Sequence, residues 1–137
     1  MWKIYALLAA VFASLTAIFS KIGVRDIDSN LATAIRVSFI LLLTWGIVFS
    51  TGGTKGIRAI SWHTLLFLFL SAIATGLSWL FYFKALQLGD VSKVAPIDKL
   101  SVAITIFLAI VFLNEAASLK TILGAVLITC GSLVLLL

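Results

Sequence analysis

Long apolar stretches, separated by short polar linkers, fill most of this 137-residue chain. Each stretch approaches the roughly 20 residues that a helix needs to cross a ~30 Å hydrocarbon core. Hydrophobic residues make up 63% of the chain and charged residues 11%, whereas soluble domains are about half apolar and about a quarter charged. A water-soluble core of this size could not hide so many apolar side chains. The pattern therefore predicts an all-α membrane protein.

The stretches predict five transmembrane helices in one domain that covers residues 1–137. The predicted spans are 4–22, 30–50, 62–86, 94–113 and 119–137. Strands are disfavoured because the runs are long and do not alternate between apolar and polar residues. The residues expected to cap helix N-termini are Ser29 or Asn30, Ser61, Ser92 and Ser118.

Two of these spans are too short to cross a bilayer without charged residues. The charge-free part of the second span, 37–50, and that of the fourth, 100–113, are each 14 residues long, or about 21 Å of helix. Both helices must therefore extend toward the preceding linker. That extension carries Arg36, and the neighbours Asp98 and Lys99, into the membrane.

Lys84 also lies near or below the interface, because it ends a run of 19 uncharged residues that starts at Leu65. Charges within a membrane cost several kcal/mol unless they are paired or wet, so they are candidates for function. A hairpin of the third and fourth spans places Lys84 opposite Asp98, and we expect the two to pair or to share a water. Asp98 and Lys99 are about 100° apart on a regular helix, so we do not expect them to point the same way.

These charges and an aromatic stripe form the predicted substrate-binding or coupling site. Its members are Lys99, Asp98, Arg36, Lys84, Trp79 and Tyr82. Lys99 suits a substrate carboxylate or phosphate, or the transfer of a proton, and Asp98 suits proton coupling. Each also has a structural interpretation, because Lys99 can pair with Asp98 or extend to the interface, and Asp98 can simply neutralise Lys84.

Arg36 and the aromatic residues have alternatives of the same kind. Arg36 either faces a cavity or pairs with Asp26 or Asp28. Trp79 and Tyr82 lie one helical turn apart near the middle of the third span. The stripe they form is either a wall of the substrate site or a surface that faces lipid or the protein core.

Positive charge is shared almost evenly between the two ends of the spans. We define face B as the side that holds the linkers between spans one and two and between spans three and four, and face A as the opposite side. Face A carries Lys3, Lys55, Arg58 and Lys120, and face B carries Lys21, Arg25, Lys84 and Lys93. The positive-inside rule needs a clear excess on one side. We therefore expect dual topology and an antiparallel homodimer. The alternatives are a fixed orientation set by a partner protein and a heterodimer with another five-span protein.

Other classes of protein are disfavoured by composition. The net charge of +5 does not indicate nucleic-acid binding, because the basic residues are scattered at span ends. One histidine, one cysteine and one deep aspartate do not form a metal site or the paired groups of an intramembrane enzyme. No phosphate-binding glycine run or cofactor motif is present, so no cofactor is expected. An accessory subunit without transport of its own remains an alternative.

Two segments resemble a known family. Residues 85–101 read ALQLGDVSKVAPIDKLS, and residues 112–115 read FLNE. These segments are similar to the EamA family of the drug/metabolite transporter superfamily, although Asn114 stands where glycine is usual. Most members contain two inverted five-span repeats, and this chain resembles the single-repeat, five-span branch. The resemblance implies two repeats around a central cavity and transport by alternating access.

The residues and the resemblance together predict a secondary transporter in the cell inner membrane. A five-span repeat supplies half of a cavity, and an antiparallel partner supplies the other half. The excess of deep basic groups favours a small polar substrate with negative charge, such as an amino acid or related carboxylate. The expected outward direction of transport comes from the resemblance alone.

Overall fold

A computed structural model describes residues 1–137. The chain is helical throughout, with turns between the helices and no strand. The α-helices are α1 (Trp2–Gly23), α2 (Ser29–Ser50), α3 (Trp62–Leu88), α4 (Val91–Asp98), α5 (Leu100–Leu113) and α6 (Leu119–Val134). A short 3₁₀ helix, Gly53–Ala59, lies between α2 and α3. The prediction of an all-α fold is confirmed.

Four segments are long and apolar enough to cross a membrane. They are α1, α2, α3 and the segment Val91–Leu113, which contains α4 and α5. The fifth predicted span is shorter than expected, because α6 ends at Val134 and has 16 residues, or about 24 Å. The structure therefore shows four spans of membrane length and one shorter apolar helix.

The start of α2 is fixed by an aspartate. The Oδ1 atom of Asp28 accepts hydrogen bonds from the backbone N–H groups of Asn30, at 2.9 Å, and Leu31, at 3.1 Å. The sequence prediction of Ser29 or Asn30 as the cap is wrong by one or two positions. Asp28 takes the role because its carboxylate satisfies two N–H groups that have no partner within the helix.

The chain divides into two compact units. The first unit contains Met1–Ile18 and Leu88–Leu137, and the second unit contains Phe19–Gln87. In the first unit α5 packs against α6, and α4 contacts both helices. The second unit consists of the end of α1, the whole of α2 and nearly all of α3.

Buried side chains in the second unit lie near one end of its helices. They are Ser20, Val24, Ser29, Ala32, Thr33, Phe83 and Leu86, and we call this set the junction. It joins the end of α1, the start of α2 and the end of α3. Large apolar side chains farther along α2 and α3 are exposed, as Leu42 at 69% and Phe69 at 60% illustrate. The junction is therefore the packed part of the second unit.

Candidate functional site

Arg36 on α2 packs against two aromatic rings of α3. Its guanidinium carbon lies 4.3 Å from the centroid of the Trp79 ring and 5.5 Å from that of Phe83. Trp79 and Phe83 are four residues apart, so both rings project from the same face of α3. Tyr82, one turn from Trp79, interacts electrostatically with Arg36. The structure thus brings together three of the six predicted site residues, namely Arg36, Trp79 and Tyr82.

The charge of Arg36 is not neutralised by an acid within the second unit. Its Nη1 atom is buried and has no hydrogen-bond partner, and no salt bridge joins Arg36 to Asp26 or Asp28. Asp28 instead caps α2. Aromatic faces attract a cation with about 0.5–2 kcal/mol, which offsets part of the cost of placing arginine at this depth. The guanidinium retains N–H donors of the type that bind carboxylate and phosphate oxygens.

Lys84 is exposed and lies at the outer edge of the junction. Its Nζ atom donates to Oε1 of Gln87 at 3.3 Å. The Nε2 atom of Gln87 donates in turn to the backbone oxygens of Val24, at 3.3 Å, and Ile27, at 3.0 Å. Lys84 is therefore connected through Gln87 to the linker that follows α1.

Two polar contacts at the junction were not predicted from the sequence. Gln87 satisfies two linker carbonyls, and Lys21 donates to the backbone oxygen of Leu86 at 2.6 Å. The last carbonyl groups of a helix have no partner within it. Leu86 lies in the last turn of α3, so a lysine near that helix end was a signal for the contact of Lys21. Val24 and Ile27, in contrast, lie in the linker, and no sequence signal marked Gln87 as their partner.

The other two predicted site residues, Asp98 and Lys99, lie in the first unit at a break between α4 and α5. The Nζ atom of Lys99 is 3.2 Å from Oδ2 of Asp98, and the side chains are 54% and 36% exposed, respectively. The expectation that these neighbours point in different directions is wrong. It assumed a regular helix, whereas α4 ends at Asp98 and α5 begins at Leu100.

The break depends on the carbonyl group of Pro96. This oxygen accepts a backbone hydrogen bond from Lys99 at 3.0 Å and another from the Oγ atom of Ser132 on α6 at 2.8 Å. In a regular helix it would accept from the N–H of Leu100, four residues on. A side chain that inserts into this ladder kinks a helix. Ser132, which is only 4% exposed, thus holds the break open and was not identified from the sequence.

A groove of about 370 Å³ lies beside Lys84 in the second unit. Its lining consists of Asp28, Ser29, Asn30, Leu77, Leu80, Phe81 and Lys84. The first three residues belong to the start of α2 and the last four to α3. The predicted pairing of Lys84 with Asp98 stays a prediction, because Lys84 and Asp98 belong to different units.

Comparison with known proteins identifies the family of this chain. The family described as the EamA-like transporter family matches residues 1–137. The chain belongs to this family. A protein of a Sinorhizobium species, described as an uncharacterized transporter in the cobO 3′ region, is 47% identical over 134 residues, which cover 98% of this chain and 95% of that protein. An uncharacterized protein of Methanocaldococcus jannaschii is 30% identical over 138 residues, which cover 96% of this chain and 93% of that protein.

No solved structure matches this EamA-like chain. Family membership and the apolar helices make it a multi-pass membrane transporter. The two relatives are of similar length to this chain, since the alignments cover 95% and 93% of them. Two features of this EamA-like transporter are uncommon in membrane helices: the unpartnered Nη1 atom of Arg36 and the helix break after Pro96.

Proposed function

We propose that this protein is a secondary transporter that moves a small polar metabolite with negative charge, such as an amino acid or a related carboxylate, out of the cell. Arg36 is the observation that carries this proposal. It lies on a membrane-spanning helix, it has no acidic partner, and its Nη1 atom lacks a hydrogen-bond partner. A carboxylate supplies the missing charge and accepts hydrogen bonds from the guanidinium once the site opens.

We assign complementary roles to the other predicted residues. Trp79 and Phe83 hold the guanidinium of Arg36 in place, and Trp79 and Tyr82 form one wall of the substrate site. Lys99 and Asp98 lie beside a helix break, and broken helices line substrate and ion sites in many transporters. In this proposal their ion pair opens and closes as the site changes access. Lys84 provides further positive potential near the entrance on face B.

The transporter works as an antiparallel dimer in the inner membrane, with α6 as the fifth and shortest span of each copy. The near-equal distribution of basic residues between faces A and B supports this arrangement, since neither orientation has a clear charge excess. A single repeat supplies half of a cavity, and an inverted copy completes it. A heterodimer with another five-span protein uses the same geometry.

Flux measurements on the purified chain in proteoliposomes test the proposal. Efflux of a panel of radiolabelled amino acids and small carboxylates is compared with efflux of their uncharged amide or ester analogues. We expect selective efflux of an anionic member, reduced at least tenfold by Arg36→Gln and less by Arg36→Lys, which retains the charge. Arg58→Gln, an exposed arginine of the 3₁₀ helix, is the matched control and leaves flux unchanged.

Two outcomes would overturn the proposal. Equal flux in wild type and Arg36→Gln removes Arg36 from the site. Absence of flux for every member of the panel, from a folded protein, favours the accessory-subunit alternative over transport by this chain alone.

A further inference from the structure

The groove beside Lys84 has a polar end and an apolar end. Four of its lining residues, Leu77, Leu80, Phe81 and Lys84, belong to α3. Their spacing of three, four and seven residues places them on one face of that helix. The opposite wall is the start of α2. The groove is therefore apolar along one helix face and polar where that face ends at Lys84.

The polar end of the groove lies at the depth of lipid headgroups. Lys84 is 22 residues beyond Trp62, the first residue of α3, or about 33 Å along the helix. This distance matches a hydrocarbon core of ~30 Å, so Lys84 lies at the interface opposite Trp62. Leu77 lies about 10 Å closer to the membrane centre. The groove thus runs from the headgroup region into the hydrocarbon.

The polar end carries one group of each charge. The ammonium of Lys84 makes a hydrogen bond to Gln87 and has three donors in all. The carboxylate of Asp28 uses Oδ1 for the cap of α2, and Oδ2 takes no part in that cap. A ligand with an anionic and a cationic group fits this pair, whereas a purely anionic ligand meets repulsion from Asp28.

We infer that this groove binds a zwitterionic phospholipid with an ammonium headgroup, such as phosphatidylethanolamine. The phosphate accepts hydrogen bonds from Lys84, the headgroup ammonium contacts Asp28, and an acyl chain lies along Leu77 and Phe81. Phe81 is 75% exposed, which makes this wall accessible from the bilayer. The groove shares Lys84 with the proposed entrance but does not include Arg36, and lipid binding does not depend on the transport proposal.

Calorimetric titration of the full-length chain in detergent tests this inference. The probes are a short-chain phosphatidylethanolamine, the corresponding phosphatidylglycerol, the corresponding diacylglycerol, and O-phosphoethanolamine, which is the headgroup alone. We expect the phosphatidylethanolamine to bind at least tenfold more tightly than the diacylglycerol or O-phosphoethanolamine. The comparison separates the lipid from a free phosphate ester.

Three substitutions locate the binding site. Lys84→Gln is expected to weaken binding of both phospholipids at least fivefold. Asp28→Asn preserves the helix cap, since asparagine caps as well as aspartate, and is expected to weaken phosphatidylethanolamine but not phosphatidylglycerol. Lys93→Gln, an exposed lysine of α4, is the control and leaves both affinities unchanged.

Other occupants give different results. If O-phosphoethanolamine binds as tightly as the phosphatidylethanolamine, the groove binds a soluble phosphate ester, and the lipid assignment is overturned. A groove occupied by a second copy of the chain gives no lipid binding, and Leu77→Trp then changes the oligomeric state instead of lipid affinity. Equal phospholipid binding by wild type and Lys84→Gln also overturns the inference.

Discussion

Arg36 and Trp79 lie on consecutive membrane-spanning helices, and 4.3 Å separates the guanidinium carbon of one from the ring centroid of the other. The contact joins the N-terminal half of α2 to the C-terminal half of α3. It also lets arginine remain in the second unit without an acidic neighbour, because the aromatic face compensates part of its charge. The positive charge consequently stays available for a ligand.

Replacing Trp79 tests how much the ring contributes. Trp79→Leu is expected to lower the free energy of unfolding in detergent by about 1–2 kcal/mol, because it removes the cation–π contact and part of the aromatic packing. Trp79→Phe retains an aromatic face and should cost less than half as much. Trp45→Leu, at a ring that contacts Phe49 on α2 and not Arg36, is the control. The double variant Arg36→Leu with Trp79→Leu is then compared with Arg36→Leu alone. Equal stability of these two proteins confirms the pairing, whereas a loss equal to the sum of the two single losses contradicts it.

Gln87 is expected to stabilise the junction through its two bonds to the linker after α1. Gln87→Glu keeps the shape of the side chain but removes the Nε2 donor, leaving the backbone oxygens of Val24 and Ile27 without it. The expected loss is about 1–2 kcal/mol in chemical unfolding, with faster hydrogen exchange at residues 24–28. Asn30→Asp, an exposed amide of α2, provides a charge-matched control. Unchanged exchange in Gln87→Glu would exclude a role for these bonds.

Ser132→Ala is expected to straighten the helix break. Without the serine hydroxyl, the carbonyl of Pro96 is free to accept from the N–H of Leu100, and α4 and α5 become more nearly continuous. Cys130, the single cysteine, is first replaced by serine. Spin labels attached to new cysteines at positions 92 and 108 then report the change. Their separation should rise toward the value for a straight helix, about 24 Å between Cα atoms.

Ser101→Ala removes a hydroxyl from α5 at an exposed position and should leave the distance between the two labels unchanged. If Ser132→Ala gives the same distance as Ser101→Ala, the hydroxyl of Ser132 does not maintain the break.

The even charge distribution predicts that two added lysines will set the orientation. Gly56→Lys with Ile60→Lys adds charge to face A, where Gly56 has open space for a side chain and Ile60 is 48% exposed. Reporter fusions at the C-terminus should show both orientations for wild type and mainly one for this variant, with face A in the cytoplasm. Gly23→Lys with Ile27→Lys on face B should give the opposite orientation.

If the protein works as an antiparallel dimer, the two orientation variants should also lose transport. The face A variant and the face B variant are each expected to lose flux when expressed alone, and co-expression of the two variants should restore it. A single orientation for every wild-type molecule would contradict the homodimer and leave the family assignment intact.

Much of the fold follows from the sequence because apolar length alone determines membrane helices. The starts of α3 and α6 were also predictable, since Ser61 and Ser118 accept backbone hydrogen bonds from Thr64 and Thr121 as helix caps should. Asn114 adopts φ 53° and ψ 33° after α5. This left-handed conformation is one that asparagine and glycine tolerate best, which accounts for glycine as the usual residue there.

The details of the candidate site were less accessible because they depend on tertiary contacts. Arg36 was predicted from its depth. That its guanidinium contacts Trp79, and not Asp26 or Asp28, could not be predicted without knowing how α2 and α3 are rotated relative to each other. The break at Lys99 was missed for a similar reason. A proline near the start of a helix is ordinary, and only the approach of Ser132 from α6 shows what happens to the Pro96 carbonyl.

The position of the junction has a mechanical consequence. Since side chains of the second unit are buried only near face B, that end acts as a fulcrum for α2 and α3, whose other ends are free of tight packing. A helix arm of about 30 Å that tilts by about 10° moves its tip by about 5 Å, roughly the width of a small metabolite. In the proposed transporter, side-chain adjustments of a fraction of an ångström around Val24 and Leu86 would move the far ends of α2 and α3 by several ångströms, and distance measurements between labels at those ends test this expectation.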